Sequence, residues 1–338
     1  MPEVLVHLSN KDEVGILEEC VDNFKFKRSL NNVEHINKGF YEHSRHVVFA
    51  LPKPKPLVSI IIPTRDHLGL LQSCVQSILD KTSYTIYEII IVNNQSSELA
   101  TLAWLEQVQK QHVNIKVIDY PYEFNYSAIN NFAVKYAKGT IIGLLNNDIE
   151  VINSAWLEEM VRHASREDIG CVGAKLYYAD GRIQHGGVIL GSGNGRCGHA
   201  HRYFPGDADG YCGRLKLVQN FTAVTGACLL VRKELYEQVG GLNEVDLPIA
   251  WSDIDLCLKI RALGYRNLWT PYAELYHHES ISRGRDSTKE QIERYKLETA
   301  YMLKHWGDII RNDPAYNPNL TVVREDFSLS LPIRNHHF

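Results

Sequence analysis

The pattern of apolar and polar positions changes character at Leu57. From there, short β-branched runs alternate with segments whose apolar residues recur at helical steps. Val58 to Ile62 reads as a strand, and Leu70, Leu71, Cys74, Val75, Ile78 and Leu79 then form one helical stripe. Glu88 to Val92 is the next strand, followed by a helix carrying Leu99, Leu102, Leu105 and Val108. Ile115 to Ile118 is a third strand. A helix around Ala128 to Ala137 leads into a fourth apolar run, Thr140 to Leu145. This alternation predicts an α/β fold with a mostly parallel central sheet and helices on both faces. The run ending at Leu145 is short and bounded by Gly139 and Asn146-Asn147-Asp148, as expected of a strand buried on both sides.

Each of these strands ends in polar residues: Pro63-Thr64-Arg65-Asp66, Asn93-Asn94-Gln95-Ser96, Asp119, and Asn146-Asn147-Asp148. Open α/β sheets bind ligands at that carboxyl edge. A carboxylate among oxygen donors suits a hard divalent cation, which in turn suits a diphosphate. A dinucleotide-binding dehydrogenase is excluded, because Pro63-Thr64-Arg65-Asp66 stands where Gly-x-Gly-x-x-Gly would have to follow the first strand. The glycine-rich loop Gly191 to Gly195 lies mid-chain with no helical pattern after it.

Before Leu57 the charge is mixed and the periodicity broken. Residues 1–56 read as a helical appendage ending in the proline-rich linker Leu51 to Pro56. Further on, Cys228 to Val231 reads as a strand, and a helix opens at Ser252 as N-cap, with Asp253 and Asp255 in its first turn. Asp66 likewise reads as an N-cap. A short strand from Ala273 to Tyr276 follows Pro271. Ser287-x-x-Glu290 has the form of a capping box before a helix carrying Ile292, Tyr295, Thr299, Met302 and Trp306.

Composition narrows the classes. The chain has 338 residues, 44% hydrophobic and 22% charged, enough for one large or two small domains. A formal net charge of -4 gives no reason to expect nucleic acid. Seven cysteines without framework spacing point to a reducing cytosol rather than secretion. Cys197, His199, His201 and Cys212 have the atoms for zinc, but their spacing fits no common finger. No apolar stretch is long enough to span a bilayer, so a cytoplasmic enzyme is expected, at most peripheral on the membrane.

VSIIIPTRD from Val58, IVNNQSS from Ile91, FNYSAINN from Phe124 and LLNNDIE from Leu144 resemble the family 2 inverting glycosyltransferases of the GT-A fold. DGRIQHGGVILG from Asp180, TGACLLVRKELYEQVGGLNE from Thr225, WSDIDLCLKIRALGY from Trp251 and YHHESISRG from Tyr276 continue the likeness. Together they resemble the bacterial branch that builds surface polysaccharides, rhamnosyltransferase-like enzymes included. The resemblance implies a GT-A domain over 57–320. Within it, 57–150 is the nucleotide-sugar half, 151–284 the acceptor and catalytic half and 285–320 a C-terminal helix, with 321–338 as a tail. It also implies Mn²⁺ or Mg²⁺, a UDP- or dTDP-linked donor, and a glycan or lipid-linked glycan acceptor. Other glycosyltransferase domains of a larger synthase are further partners it suggests.

Carried onto this chain, the resemblance puts Pro63, Thr64, Arg65, Asp66, Asn94, Asn130, Asn146, Asn147, Gly226 and Ala227 on the donor. Asn94 stands where the family commonly has a carboxylate. Asp148 ends the Asp-x-Asp metal motif with Asn146 in place of the first Asp, and His277 or His278 completes the metal or diphosphate site. Asp253 is the general base, although Ser252 replaces the Glu of the family's Glu-Asp pair. Trp251, Asp255, Gln184 and His185 are acceptor-side candidates, with packing or helix-capping roles as their alternatives. Two other classes stand beside this reading. A sugar-phosphate nucleotidyltransferase would need a glycine-rich basic loop after the first strand. The departures at Asn146 and Ser252 give some weight to a non-catalytic glycan-binding module.

Overall fold

The computed structural model describes residues 32–278 and 288–330. The chain order begins β1 (Val33–Lys38), β2 (Arg45–Phe49), β3 (Val58–Thr64), α1 (Leu68–Lys81), β4 (Tyr87–Asn93), α2 (Leu99–Gln111), β5 (Ile115–Asp119), α3 (Tyr126–Val134) and β6 (Ile141–Leu145). It continues with β7 (Ile149–Val151), α4 (Trp156–Ala164), β8 (Ile169–Tyr177), β9 (Ile183–His185), β10 (Val188–Leu190), β11 (Cys197–His199) and β12 (Gln219–Phe221). Last come β13 (Cys228–Arg232), α5 (Lys233–Gln238), α6 (Ser252–Ala262), β14 (Arg266–His277) and α7 (Lys289–Arg311).

One sheet runs β12-β14-β8-β13-β6-β3-β4-β5, with β7 added to β14 and β9 to β8. β6, β3, β4 and β5 are parallel. β13 enters antiparallel between β6 and β8 and joins the two halves. The β-branched runs are explained by what covers them. Ile61, Ile90 and Leu144 pack into one apolar layer, with Ile129 of α3 and Leu258 of α6. Their neighbours Ile60, Ile62, Ile89 and Ile91 pack into the other, with Leu71 and Val75 of α1. Strands covered on both faces need no polar alternation. Every residue of β6 is buried, as its sequence predicts.

Several expectations are corrected. Residues 33–49 form the antiparallel hairpin β1–β2 rather than a helix, while residues 1–31 lie outside the described residues. The hairpin docks on α4 and β14: His46 stacks on Tyr272 and bonds the buried Glu159 at 3.1 Å. β14 is not a short strand after Pro271 but runs through it. Its pairing with β8 shifts register between Trp269 and Glu274, which accommodates a residue with no N–H to give. Helix α6 does start at Ser252, but its N-cap is Trp251 in a left-handed conformation with φ 66°, so Asp253 is the second helical residue. Asp66 does not cap α1. Its Oδ1 accepts from the amides of Ser97 and Glu98 at 2.7 and 2.8 Å, at the start of α2. Partial burial opposes ionisation there, but those hydrogen bonds hold the carboxyl below its ordinary range. Ser287 lies outside the described residues, and the capping box of α7 is made by Thr288 with Gln291. The tail is packed as far as it is described, with Phe327 buried and stacked on His201 at 4.5 Å.

Candidate active site

The parallel strands deliver their polar ends to one cleft of about 640 Å³. Pro63, Thr64, Arg65 and Asp66 from the end of β3, and Asn94 just past β4, line it. Asn94 is 1% exposed, and its Nδ2 donates to the carbonyls of Tyr120 and Tyr122 at 3.1 and 2.8 Å. That fixes the amide orientation and leaves Oδ1 as an uncommitted acceptor. Asn130, expected on the donor, instead sits fully buried within α3, its Nδ2 tied to the carbonyl of Tyr126, and does not line the cleft.

Asn146, Asn147 and Asp148 leave β6 onto the cleft floor. The Asn147 amide donates to Thr64 Oγ1 at 3.0 Å, tying this turn to the end of β3. β14 pairs with β7, which brings His277 opposite Ile149 and its ring beside Asp148. His277 Nε2 lies 3.2 Å from Asp148 Oδ1 and 3.3 Å from Asn146 Nδ2. The structure therefore separates the two histidines. His278 turns the other way, to Glu150 Oε2 at 3.2 Å, and does not line the cleft.

Asp148 and His277 are 5% and 6% exposed, and Asp148 Oδ1, though close to the imidazole, has no aligned hydrogen-bond donor. His277 Nε2 and Asp148 Oδ1 thus converge 3.2 Å apart. Two ligands of an octahedral cation at about 2.1 Å lie roughly 3.0 Å apart, so this pair fits a divalent metal. Among the described residues, no group of three or more His, Cys, Asp and Glu converges for a metal. The pair would therefore share the ion with donor oxygens or water. Cys197, His199, His201 and Cys212 likewise do not form such a group.

Asp253 lines the same cleft. Gly226 makes this possible: a side chain there would meet Asp253 Cβ and Tyr126 Oη, both at 3.2 Å. Asp253 Oδ2 accepts from the Gly226 amide at 2.8 Å and Oδ1 from its neighbour Ile254 at 2.9 Å. Burial pushes the carboxyl above its ordinary range, and these bonds only partly offset it. Ala227, next along, also lines the cleft. The loop carrying Trp251 is held by α7, where buried Glu298 accepts from the amides of Ile249 and Ala250 at 2.8 and 3.0 Å. Tyr126 is a cleft residue the motif reading passed over. Its hydroxyl donates to the Gly226 carbonyl at 3.2 Å.

On the far side of Asp253 lies a second cavity of about 170 Å³. Thr225, Asp253 and His199 line both spaces. Trp251 and Tyr295 give the smaller one an aromatic wall. Gln184 lines the larger cleft, whereas His185 is wholly buried behind it. Asp255 lines neither cavity: it faces α7 and its own helix, paired with Trp306 Nε1 at 2.9 Å and Lys259 at 3.0 Å. No described helix is long and apolar enough to cross a membrane.

Comparison with known proteins agrees with this architecture. The family model described as glycosyl transferase family 2 matches residues 59–240. An uncharacterized protein of Sinorhizobium fredii, y4gI, is 54% identical over 277 residues, covering 82% of this chain and 30% of that protein. The O-antigen biosynthesis protein RfbC of Myxococcus xanthus is 38% identical over 275 residues, 81% of this chain and 21% of that protein. Among solved structures, GalNAc-T7 with UDP, GalNAc and Mn²⁺ superposes with a TM-score of 0.58 at 14% identity, covering 92% of this chain and 59% of that one. The chain belongs to glycosyl transferase family 2, with the GT-A fold. It spans less than a third of the length of these curated relatives.

Proposed function

We propose that this chain is a metal-dependent inverting glycosyltransferase domain. It would move a sugar from a UDP- or dTDP-linked donor to a hydroxyl of a growing bacterial surface glycan. The observation that carries the reading is one cleft lined by Asp148, His277 and Asp253, with Asp253 also lining a second cavity. Inversion by single displacement needs one base and no protein nucleophile, and Asp253 is the carboxylate placed between the two cavities. Its raised pKa suits it to take a proton from the acceptor hydroxyl. Pro63 to Asp66 and Asn94 bind the nucleoside, with Asn94 Oδ1 offering an acceptor to the base or ribose. Gly226 and Ala227 let the donor sugar approach the backbone. A bound Mn²⁺ or Mg²⁺ would neutralise charge on the departing diphosphate. Asp148 and His277 would hold that ion. Trp251 and Gln184 face the acceptor.

The test is calorimetric binding of UDP, dTDP and GDP, each with and without Mn²⁺, to wild type and Asp148→Ala. Binding of UDP or dTDP that needs both the metal and Asp148 supports the proposal. The structure keeps a second reading in view, because Asn146 leaves only Asp148 and His277 at the ion. A glycan-binding module without turnover would bind no nucleotide in any of these conditions.

A further inference from the structure

We propose that Glu298, on helix α7, is a positioning residue for the catalytic base: it holds the chain ahead of Asp253 so that the carboxylate meets the Gly226 amide. The inference rests on the reading of Asp253 as base.

The chain ahead of Asp253 has an uncommon backbone. Trp251, two residues before the base, has φ 66° and ψ -5°. A bulky side chain rarely adopts this left-handed conformation, so its surroundings must enforce it. Trp251 is also where α6 begins, since its carbonyl accepts from the Asp255 amide at 2.9 Å. Its conformation thus sets the direction in which the first turn of α6, and Asp253 with it, leaves the loop.

The bonds that enforce it come from two helices. From α3, Ser127 donates to the carbonyls of Leu247 and Pro248, through Oγ at 2.6 Å and its amide at 3.2 Å. The next three residues are held by α7. One oxygen of Glu298, Oε1, accepts from the amides of Ile249 and Ala250 at 2.8 and 3.0 Å. Trp251 Nε1 donates to Thr299 Oγ1 at 3.2 Å. That hydroxyl is fixed as an acceptor, because it donates to the Tyr295 carbonyl of its own helix at 2.7 Å. Past the base, Trp306 Nε1 donates to Asp255 Oδ1 at 2.9 Å. The residues two before and two after Asp253 are thus both tied to α7, while Asp253 itself accepts from the amides of Gly226 and Ile254. Glu298 is the member of this set whose loss strips two amides of their acceptor. It is 1% exposed, so water has little access to replace that oxygen. Glu298 lines neither cavity and acts only through the loop. Tyr295, one turn earlier, lines the smaller cavity, so the helix that fixes the base also walls the space beside it.

The experiment reads the position of the base first without turnover and then with it. Amide hydrogen exchange is followed on the full chain for wild type, Glu298→Met, Glu298→Gln and Thr288→Ala. Gly226 is the reporter, because its amide donates to Asp253 Oδ2. Met matches Glu in length and lacks the acceptor, whereas Gln keeps a carbonyl oxygen with two lone pairs. Thr288→Ala removes the capping box at the start of α7 and leaves the Glu298 bonds in place. Glu298→Met should speed exchange about 10-fold or more at Ile249, Ala250 and Gly226, beyond any change at the amides of β6. Glu298→Gln should restore the protection, and Thr288→Ala should melt lower with Gly226 protected as in wild type. Release of UDP or dTDP is then followed with Mn²⁺, a panel of UDP- and dTDP-linked sugars and methyl pyranosides. Glu298→Met should lower kcat about 10-fold with donor KM within about 2-fold of wild type. Unchanged Gly226 protection or wild-type kcat in Glu298→Met, equal loss in Thr288→Ala, or no recovery with Gln would each overturn the proposal. A wild-type chain that releases nucleotide from no donor would instead be a failure of the transferase reading, and the exchange data would still decide whether Glu298 places Asp253.

Discussion

Replacing Gly226 by Ala tests how closely the cleft is built around Asp253. The backbone at Gly226 is not in the left-handed region, so the substitution adds no strain of its own. What it adds is one methyl group, 3.2 Å from Asp253 Cβ and 3.2 Å from Tyr126 Oη. Carbon atoms settle at about 3.5–4.0 Å, so Asp253 must retreat by a few tenths of an ångström. Its Cβ is anchored in the first turn of α6, so the start of the helix moves with it. The same retreat stretches the 2.8 Å bond from the Gly226 amide to Asp253 Oδ2. Overpacking of this kind costs about 1–3 kcal/mol of stability. A 1 Å error in catalytic geometry can cost about 10²-fold, so the smaller shift here should lower kcat by roughly 10-fold. Steady-state turnover, nucleotide calorimetry and thermal melting together separate the effects. Gly181→Ala is the control: its φ of 81° makes Ala unfavourable, yet nothing lies within 4 Å of the new methyl. It should lose stability and keep turnover. A Gly226→Ala enzyme with wild-type kcat would refute the packing argument.

Asp253→Asn should lower turnover by about 10²–10⁴ while nucleotide binding survives, as kinetics and calorimetry would show. Because the folded carboxyl titrates above its ordinary range, its contribution to stability falls as pH rises from the unfolded pKa to the folded one. The Asn variant should therefore melt no lower than wild type at neutral pH, and wild-type kcat/KM should rise with pH through a midpoint above that of an ordinary Asp. His277→Ala should weaken Mn²⁺-dependent nucleotide binding about 10-fold or more, whereas His278→Ala, whose side chain pairs with Glu150, should leave it unchanged; equal effects in calorimetry would reject the assignment. Glu159 is buried, which raises its pKa, but hydrogen bonds from His163 and His46 outweigh this and hold it well below the usual range. Its stabilisation is present above the unfolded pKa and is lost as pH falls toward the folded value, so Glu159→Gln should flatten the acid limb of a melting-temperature profile.

The parallel half of the sheet was legible because its strands are covered on both faces and read as uninterrupted β-branched runs. Their polar endings at Asp66, Asn94 and Asp148 marked the cleft before any coordinates did. The hairpin 33–49 was not legible, because β1 leaves four of its six residues exposed and alternates weakly. Pro271 hid the length of β14, since a register shift that admits a proline depends on the partner strand. The inward turn of Asn130 and the pairing of Asp255 with Trp306 depend on which helix face meets which neighbour. His199 was read as one of a zinc-like group, and only the folding of β10 onto β11 brings it to the junction of the two cavities.

The long strand β14 has a practical bearing on where this domain can be cut. Five residue steps lead from Tyr272, which carries the hairpin ring of His46, to His277 at the cleft floor. That is about 17 Å of extended backbone without a turn. A boundary drawn at Leu57, where the sequence texture changes, would strip the cover from Tyr272 and remove a hydrogen bond from Glu159. A protein trimmed there keeps every cleft residue yet loses the clamp on the strand that aims the histidine. A domain excised for crystallisation or fused into another synthase should begin ahead of Val33.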